Sequence, residues 1–155
     1  MAEQEYDAKW AKSVVEGEFD KAKELLKEPG KINELLASLQ TKLSGLPKTA
    51  VTAFKNVPAM AEMVKCYITR EYTKVSPKVV VSLVAAFIYL VKRKDLIPDS
   101  VPVVGLVDDI AVVGVAMAIN ESEIKEFIAW RDQNKPDEKL SLELPAEDGA
   151  QAAQA

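Results

Sequence analysis

Four aspartates crowd one short stretch of the chain, KRKDLIPDSVPVVGLVDD, as Asp95, Asp99, Asp108 and Asp109. Carboxylates gathered beside backbone carbonyls are the donor set of a hard cation such as Mg²⁺ or Ca²⁺. Pro98, Pro102 and Gly105 supply the bends that could bring the four together. The same residues also have a purely structural use. Asp99 precedes a Ser-Val-Pro turn, Asp108 and Asp109 stand where a following helix begins, and Asp95 closes the preceding one. Lys92, Arg93 and Lys94 lie beside them as counter-charges, and the spacing matches no EF-hand loop. The expectation is therefore a set of turn and helix-start devices. A divalent-cation site with hydrolytic chemistry is the alternative.

Composition removes most other chemistry. The 155 residues include no histidine and a single cysteine, Cys66. A Cys/His zinc site, an intramolecular disulfide and a Ser-His or Cys-His nucleophile pair all need more than that. Cys66 reads as a small core residue, and Trp10 and Trp130 as packing anchors. A net charge of −4, with no basic run interleaved with aromatics, argues against a nucleic-acid partner. No cofactor motif is present, and no catalytic residue stands out. The start, MAEQEYDAKWAKSV, is acidic and amphipathic rather than a basic, apolar leader. The expected location is the cytoplasm, with association to the inner face of the membrane left open.

The elements that must position the acidic elbow are two apolar runs on either side of it. Ser76-Pro77 is a helix start, with serine as N-cap and proline in the first turn. Val79 to Val91 follows without a charge, and Lys92, Arg93 and Lys94 suit the negative end of that helix. The second run, Ile110 to Ile119, opens on Asp108 and Asp109. Asn120 with Glu123 resembles a capping box for one more helix. At roughly 1.5 Å per residue the first run spans only about 20 Å, short of a bilayer core of about 30 Å. The second reaches spanning length only by taking in a proline, a glycine and two aspartates. A tight antiparallel pair is the better geometry. Ser82, Ala85 and Ala86 make a small-residue stripe on one helix, and Ala111, Gly114 and Ala118 make one on the other. Both helices are apolar nearly all round, so their outer faces need cover.

That cover comes from amphipathic patterns earlier in the chain. Tyr6, Trp10 and Val14 recur at helical spacing, as do Phe19, Ala22, Leu25 and Leu26. The cleanest stripe is Ile32, Leu35, Leu36, Leu39 and Leu43. Met60, Met63, Val64, Tyr67 and Ile68 form another. No stretch alternates as a strand would. The fold class is all-α, a small helical bundle built around a central hydrophobic helical hairpin. Residues 1–75 are the amphipathic N-terminal helices and 76–132 the hairpin with a last helix, the two packed as one domain. From 133 to 155 the chain reads as a disordered tail.

At the elbow the sequence resembles a known family. Asp95-Leu96-Ile97-Pro98-Asp99, then Pro102-Val103, Gly105 and Asp108-Asp109, are similar to the signature of the YkvA-like domain of unknown function found in bacteria. The resemblance extends back through Val79–Leu90, including Tyr89, and forward to about Ile119. It departs at Lys92-Arg93-Lys94, where the family commonly has a small or proline-containing segment. It implies a helical hairpin sharing an acidic elbow, with some members membrane-associated, and it brings no activity, cofactor or catalytic residue. The expected function is a helical interaction module acting by protein contact or by peripheral membrane association. The partner is a protein, a membrane surface or a second copy of the chain.

Overall fold

A computed structural model describes residues 8–94, 102–138 and 140–145 of the chain, and the described residues are all-α. The helices are α1 (Ala8–Gly17), α2 (Phe19–Leu26), α3 (Pro29–Ser44) and the short α4 (Lys48–Val51), which continues as a 3₁₀ turn over Thr52–Phe54. They are followed by α5 (Val57–Ile68), α6 (Pro77–Lys94), α7 (Pro102–Ile119) and α8 (Glu121–Asn134).

Local chemistry accounts for several boundaries. Pro29 opens α3 and Pro58 lies in the first turn of α5, where a missing N–H costs nothing. Ser76 starts α6 as its sequence suggests. The Val79 N–H donates to the Ser76 carbonyl at 3.1 Å and lies 3.4 Å from its hydroxyl. Helix α5 ends through Arg70, whose φ of 67° is left-handed and lets the Glu71 N–H reach back to the Cys66 carbonyl at 2.9 Å.

Helix α6 is the axis of the bundle. Every residue from Val80 to Leu90 is buried, and α1, α2, α3, α5 and α7 all pack on it. The stripe on α3 is wholly buried, as its spacing predicts. Each Val, Leu, Ile or Phe withdrawn from water on this axis contributes about 1.5–3 kcal/mol, which is what holds five surrounding elements to one helix. Helix α1 packs on both α6 and α7, and α8 packs on α5 and α7. Ser82, near the start of α6, meets Asn120, just past the end of α7, so the two helices run antiparallel.

Three expectations are corrected here. Helix α7 begins at Pro102, so Asp108 and Asp109 lie well inside it rather than at its start. Asn120 forms no side-chain cap on α8; its amide is used inside the bundle. The small-residue stripes do not meet. Ser82, Ala85 and Ala86 are buried on α6, but Ala111 is half-buried and Gly114 and Ala118 are exposed. A Cβ added at Gly114 would touch nothing within 4 Å. The buried face of α7 is Val112, Val113, Val115 and Ala116.

The chain also stays packed beyond the point where it was expected to become tail. After α8 it turns back over α3 and α5, burying Leu142 and half-burying Leu140 and Leu144. Gln40 grips this strap with both ends of its amide. It donates to the Glu143 carbonyl at 3.0 Å and accepts from the Glu143 N–H at 2.8 Å.

Candidate functional site

Residues 95–101 of the elbow, with Asp95 and Asp99, lie outside the described residues. Of the four acids, only Asp109 has a described side chain. It is buried, and the Lys42 ammonium of α3 sits 2.7 Å from its Oδ2. Asp109 therefore acts as a charged anchor between α3 and α7, and burial removes the water that would weaken the pair. Lys42 falls off the apolar stripe of α3, and nothing local marks it as the partner of an aspartate so far along the chain. Among the described residues, no group of three Cys, Asp or Glu side chains is arranged to hold a metal ion.

The opposite face of α7 has the reverse character. From Ile110 to Asn120 the helix and its end carry no charge. Ile110, Gly114, Ala118 and Ile119 are exposed, and Ala111 and Met117 half-exposed. Ile110 and Ile119 are the exposed large hydrophobic residues of the described chain, at 37% and 50% accessible. At 100° per residue Ile110, Gly114, Met117 and Ala118 share one side of α7, so the exposure is a continuous stripe rather than scattered residues. A stripe of that kind marks an interaction surface more often than an isolated exposed leucine does.

At the far end of α7, Asn120 is buried and both its amide hydrogens are committed. Nδ2 donates to Ser82 Oγ at 2.8 Å and to the Ala116 carbonyl at 2.9 Å, while Ser82 donates to the Val79 carbonyl at 2.8 Å. This small network ties the start of α6 to the end of α7.

A second polar cluster lies where α5, α8 and the strap meet. Glu62 is buried, and its Oε1 accepts the Ser141 backbone N–H at 3.0 Å. Arg131 Nε is 3.9 Å from Glu62 Oε2, a charge contact, and its Nη2 donates to the Glu138 carbonyl at 2.7 Å. Cys66 Sγ is 3.9 Å from the same Glu62 oxygen. Burial, reinforced by the carboxylates of Glu62 and Glu71, pushes the Cys66 thiol up to about 11. A thiol held neutral in this way is a poor nucleophile, so the cluster is a clasp for the strap. Lys135 pairs with Glu71 beside it, and the rings of Tyr72, Phe127 and Trp130 cluster there with centroids 5.0–5.9 Å apart, Phe127 stacked on Trp130 and Tyr72 edge-on to Phe127. Sequence reading missed the clasp. Its signal is the alternation Leu140-Ser141-Leu142-Glu143-Leu144, which places three leucines on one side of an extended segment.

Residues 79–115, from the first turns of α6 into α7, match the family described as "Protein of unknown function (DUF1232)". The chain is 27% identical over 86 residues to "Uncharacterized membrane protein YkvA" of Bacillus subtilis (strain 168), an alignment covering 56% of this chain and 81% of that protein. No solved structure matches the chain. Among the described residues, no helix is long and apolar enough to cross a membrane.

Proposed function

The chain belongs to the YkvA-like family of proteins of unknown function, and from that premise we propose that it is a non-enzymatic helical module that binds a membrane peripherally through the outer face of α7. The observation that carries this reading is the charge-free stripe of Ile110, Gly114, Met117 and Ala118, left open on α7 in a chain that buries the apolar surface of α6. A helix whose exposed side is apolar can seat that side at the headgroup boundary without spanning the bilayer. The printed name of the B. subtilis relative supports the same direction. The inner face of the membrane is the surface that fits, because its anionic lipids would attract Lys92, Arg93 and Lys94 at about 1 kcal/mol each.

Flotation with liposomes of mixed neutral and anionic lipid tests the reading. The wild-type chain is expected to float with the vesicles and to be released by carbonate. The double variant Ile110→Asp with Ala118→Asp should keep its helical melting curve and lose most of the binding, because both positions are exposed on the stripe and each new carboxylate must stay in water. Wild-type protein that ignores vesicles, or a double variant that floats as well as wild type, would sink the proposal. In the first case a protein surface becomes the occupant to seek.

A further inference from the structure

Helices hold one another here by packing, but the strap after α8 is held differently. Its buried apolar surface is small, with Leu142 buried and Leu140 and Leu144 only half so. The rest of the hold is a grip on its main chain. Gln40 of α3 takes both the carbonyl and the N–H of Glu143, and Glu62 of α5 takes the N–H of Ser141. The Gln40 amide also donates to Ser44 Oγ at 2.9 Å, which fixes its orientation. Lys65 Nζ donates to Ser141 Oγ at 3.0 Å. These gripping groups belong to α3 and α5, far from the strap in sequence, so a strap delivered by another copy would find the same partners. An element with so little buried apolar surface opens at a free energy well below that of the whole fold.

The connection from α8 to the strap is a short reversing turn. Helix α8 ends at Asn134, and residues 135–138 send the chain back. The Glu138 N–H donates to the Lys135 carbonyl at 3.2 Å, and the two side chains pair at 3.7 Å. Arg131 adds its bond to the Glu138 carbonyl at 2.7 Å. Pro136, Asp137 and Glu138 are exposed. If the turn opens, Pro136 stops α8 from running on as helix, because proline has no N–H and its ring clashes with the preceding turn. Opening therefore gives up only the contacts of the turn. The contacts between strap and seat keep their kind and number once a second copy supplies the seat. A short hinge and a conserved set of contacts are the conditions under which identical chains exchange an end element.

We infer that two copies of this chain exchange straps, each laying residues 140–144 across α3 and α5 of the other. The exchange is reciprocal, so it closes at two copies and builds no filament. It makes no use of the exposed face of α7 and is independent of the membrane reading. Within one copy the strap competes for its own seat at an effective concentration in the millimolar range, set by the short connection. Exchange is therefore a response to local crowding of copies.

Lys65 and Ser141 are exposed and touch side chain to side chain, which makes them a reporter pair. Full-length Lys65→Cys and Ser141→Cys copies, one of them tagged, are unfolded in urea, refolded together and treated with a short bis-maleimide. Cys66 is buried away from the reagent. A covalent heterodimer is expected, its yield rising about tenfold between ~0.01 mM and ~1 mM protein as the second copy overtakes the strap in cis. Adding Leu142→Asp to the Ser141→Cys copy should return the yield to background, because a carboxylate cannot take the buried seat of that leucine. Adding Ile110→Asp to both copies should leave the yield unchanged. Light scattering of the wild-type chain, refolded over the same range, should show the matching rise in dimer without any cysteine introduced. No heterodimer above background, a yield indifferent to Leu142→Asp, or a wild-type chain monomeric throughout overturns the inference, and vesicle binding by such a chain leaves the membrane reading intact. A heterodimer lost with Ile110→Asp also overturns it, since the copies would then meet through α7.

Discussion

Helices α6 and α7 are each 18 residues long and are packed antiparallel, yet the fold uses them in opposite ways. Helix α6 carries four basic residues, Lys78, Lys92, Arg93 and Lys94, and is buried through its whole middle. Helix α7 carries only Asp108 and Asp109, is the more apolar of the two, and leaves a face open. Burial therefore does not follow hydrophobicity here. It follows position in the fold, because α1, α2, α3, α5 and α7 all reach α6, whereas α7 is flanked by α1, α6, α8 and the 3₁₀ turn. The lesson is that an apolar helix can be the axis of a bundle or its contact surface. Only the supply of covering elements separates the two.

The largest expected effect comes from treating the two helices alike. Phe87, fully buried on α6, should cost about 3–5 kcal/mol when changed to Ala, from lost transfer energy and the cavity left behind. Ile110→Ala on α7 should cost less than about 1 kcal/mol, since much of that side chain is already in water. Urea denaturation of both variants measures the gap. Equal losses would mean that the face of α7 is covered in solution, by a second copy or by the chain's own elbow.

The helices also differ in how they are held. Helix α6 is fastened by packing, whereas α7 has a buried ion pair to α3. Lys42→Met should destabilise by about 3–5 kcal/mol, because it removes the ammonium that balances the buried Asp109 carboxylate. Adding Asp109→Leu should restore at least half of the loss, since no buried charge is then left to balance. If the single change has no effect on the denaturation midpoint, the pair is open to water and α7 is not anchored this way.

Local patterns were readable wherever one element decides the outcome. Ile32, Leu35, Leu36, Leu39 and Leu43 announce the buried side of α3 by spacing alone, and Ser76-Pro77 announces the start of α6. Pairings between distant elements were not. Gly114 and Ala118 carry the same small-residue signature as Ala85 and Ala86, and nothing near them says that one stripe is covered and the other bare. Lys42 has an ordinary surface pattern and ends up beside a buried acid. The polarity of the segment after α8 hid the alternation of Leu140, Leu142 and Leu144 that packs it down. The family resemblance, by contrast, rested on contiguous residues, and residues 79–115 carry the family match.

The smallest effect is also the sharpest test of the comparison. Glycine in the middle of a helix costs about 0.5–1 kcal/mol relative to alanine through lost backbone entropy. It is tolerated where a neighbouring backbone must come close. On α7 no such neighbour is present among the described residues, because a Cβ at Gly114 meets nothing within 4 Å. Gly114→Ala should therefore stabilise the protein by about 0.5–1 kcal/mol, raising the denaturation midpoint without changing the slope. Ala85 on α6 is the control. It is fully buried, so Ala85→Leu adds three carbons to a filled space and should cost about 1–3 kcal/mol. A destabilised Gly114→Ala variant would show that something approaches α7 closely at that point. The contact face would then be an internal packing surface, and the difference drawn between the two helices would collapse.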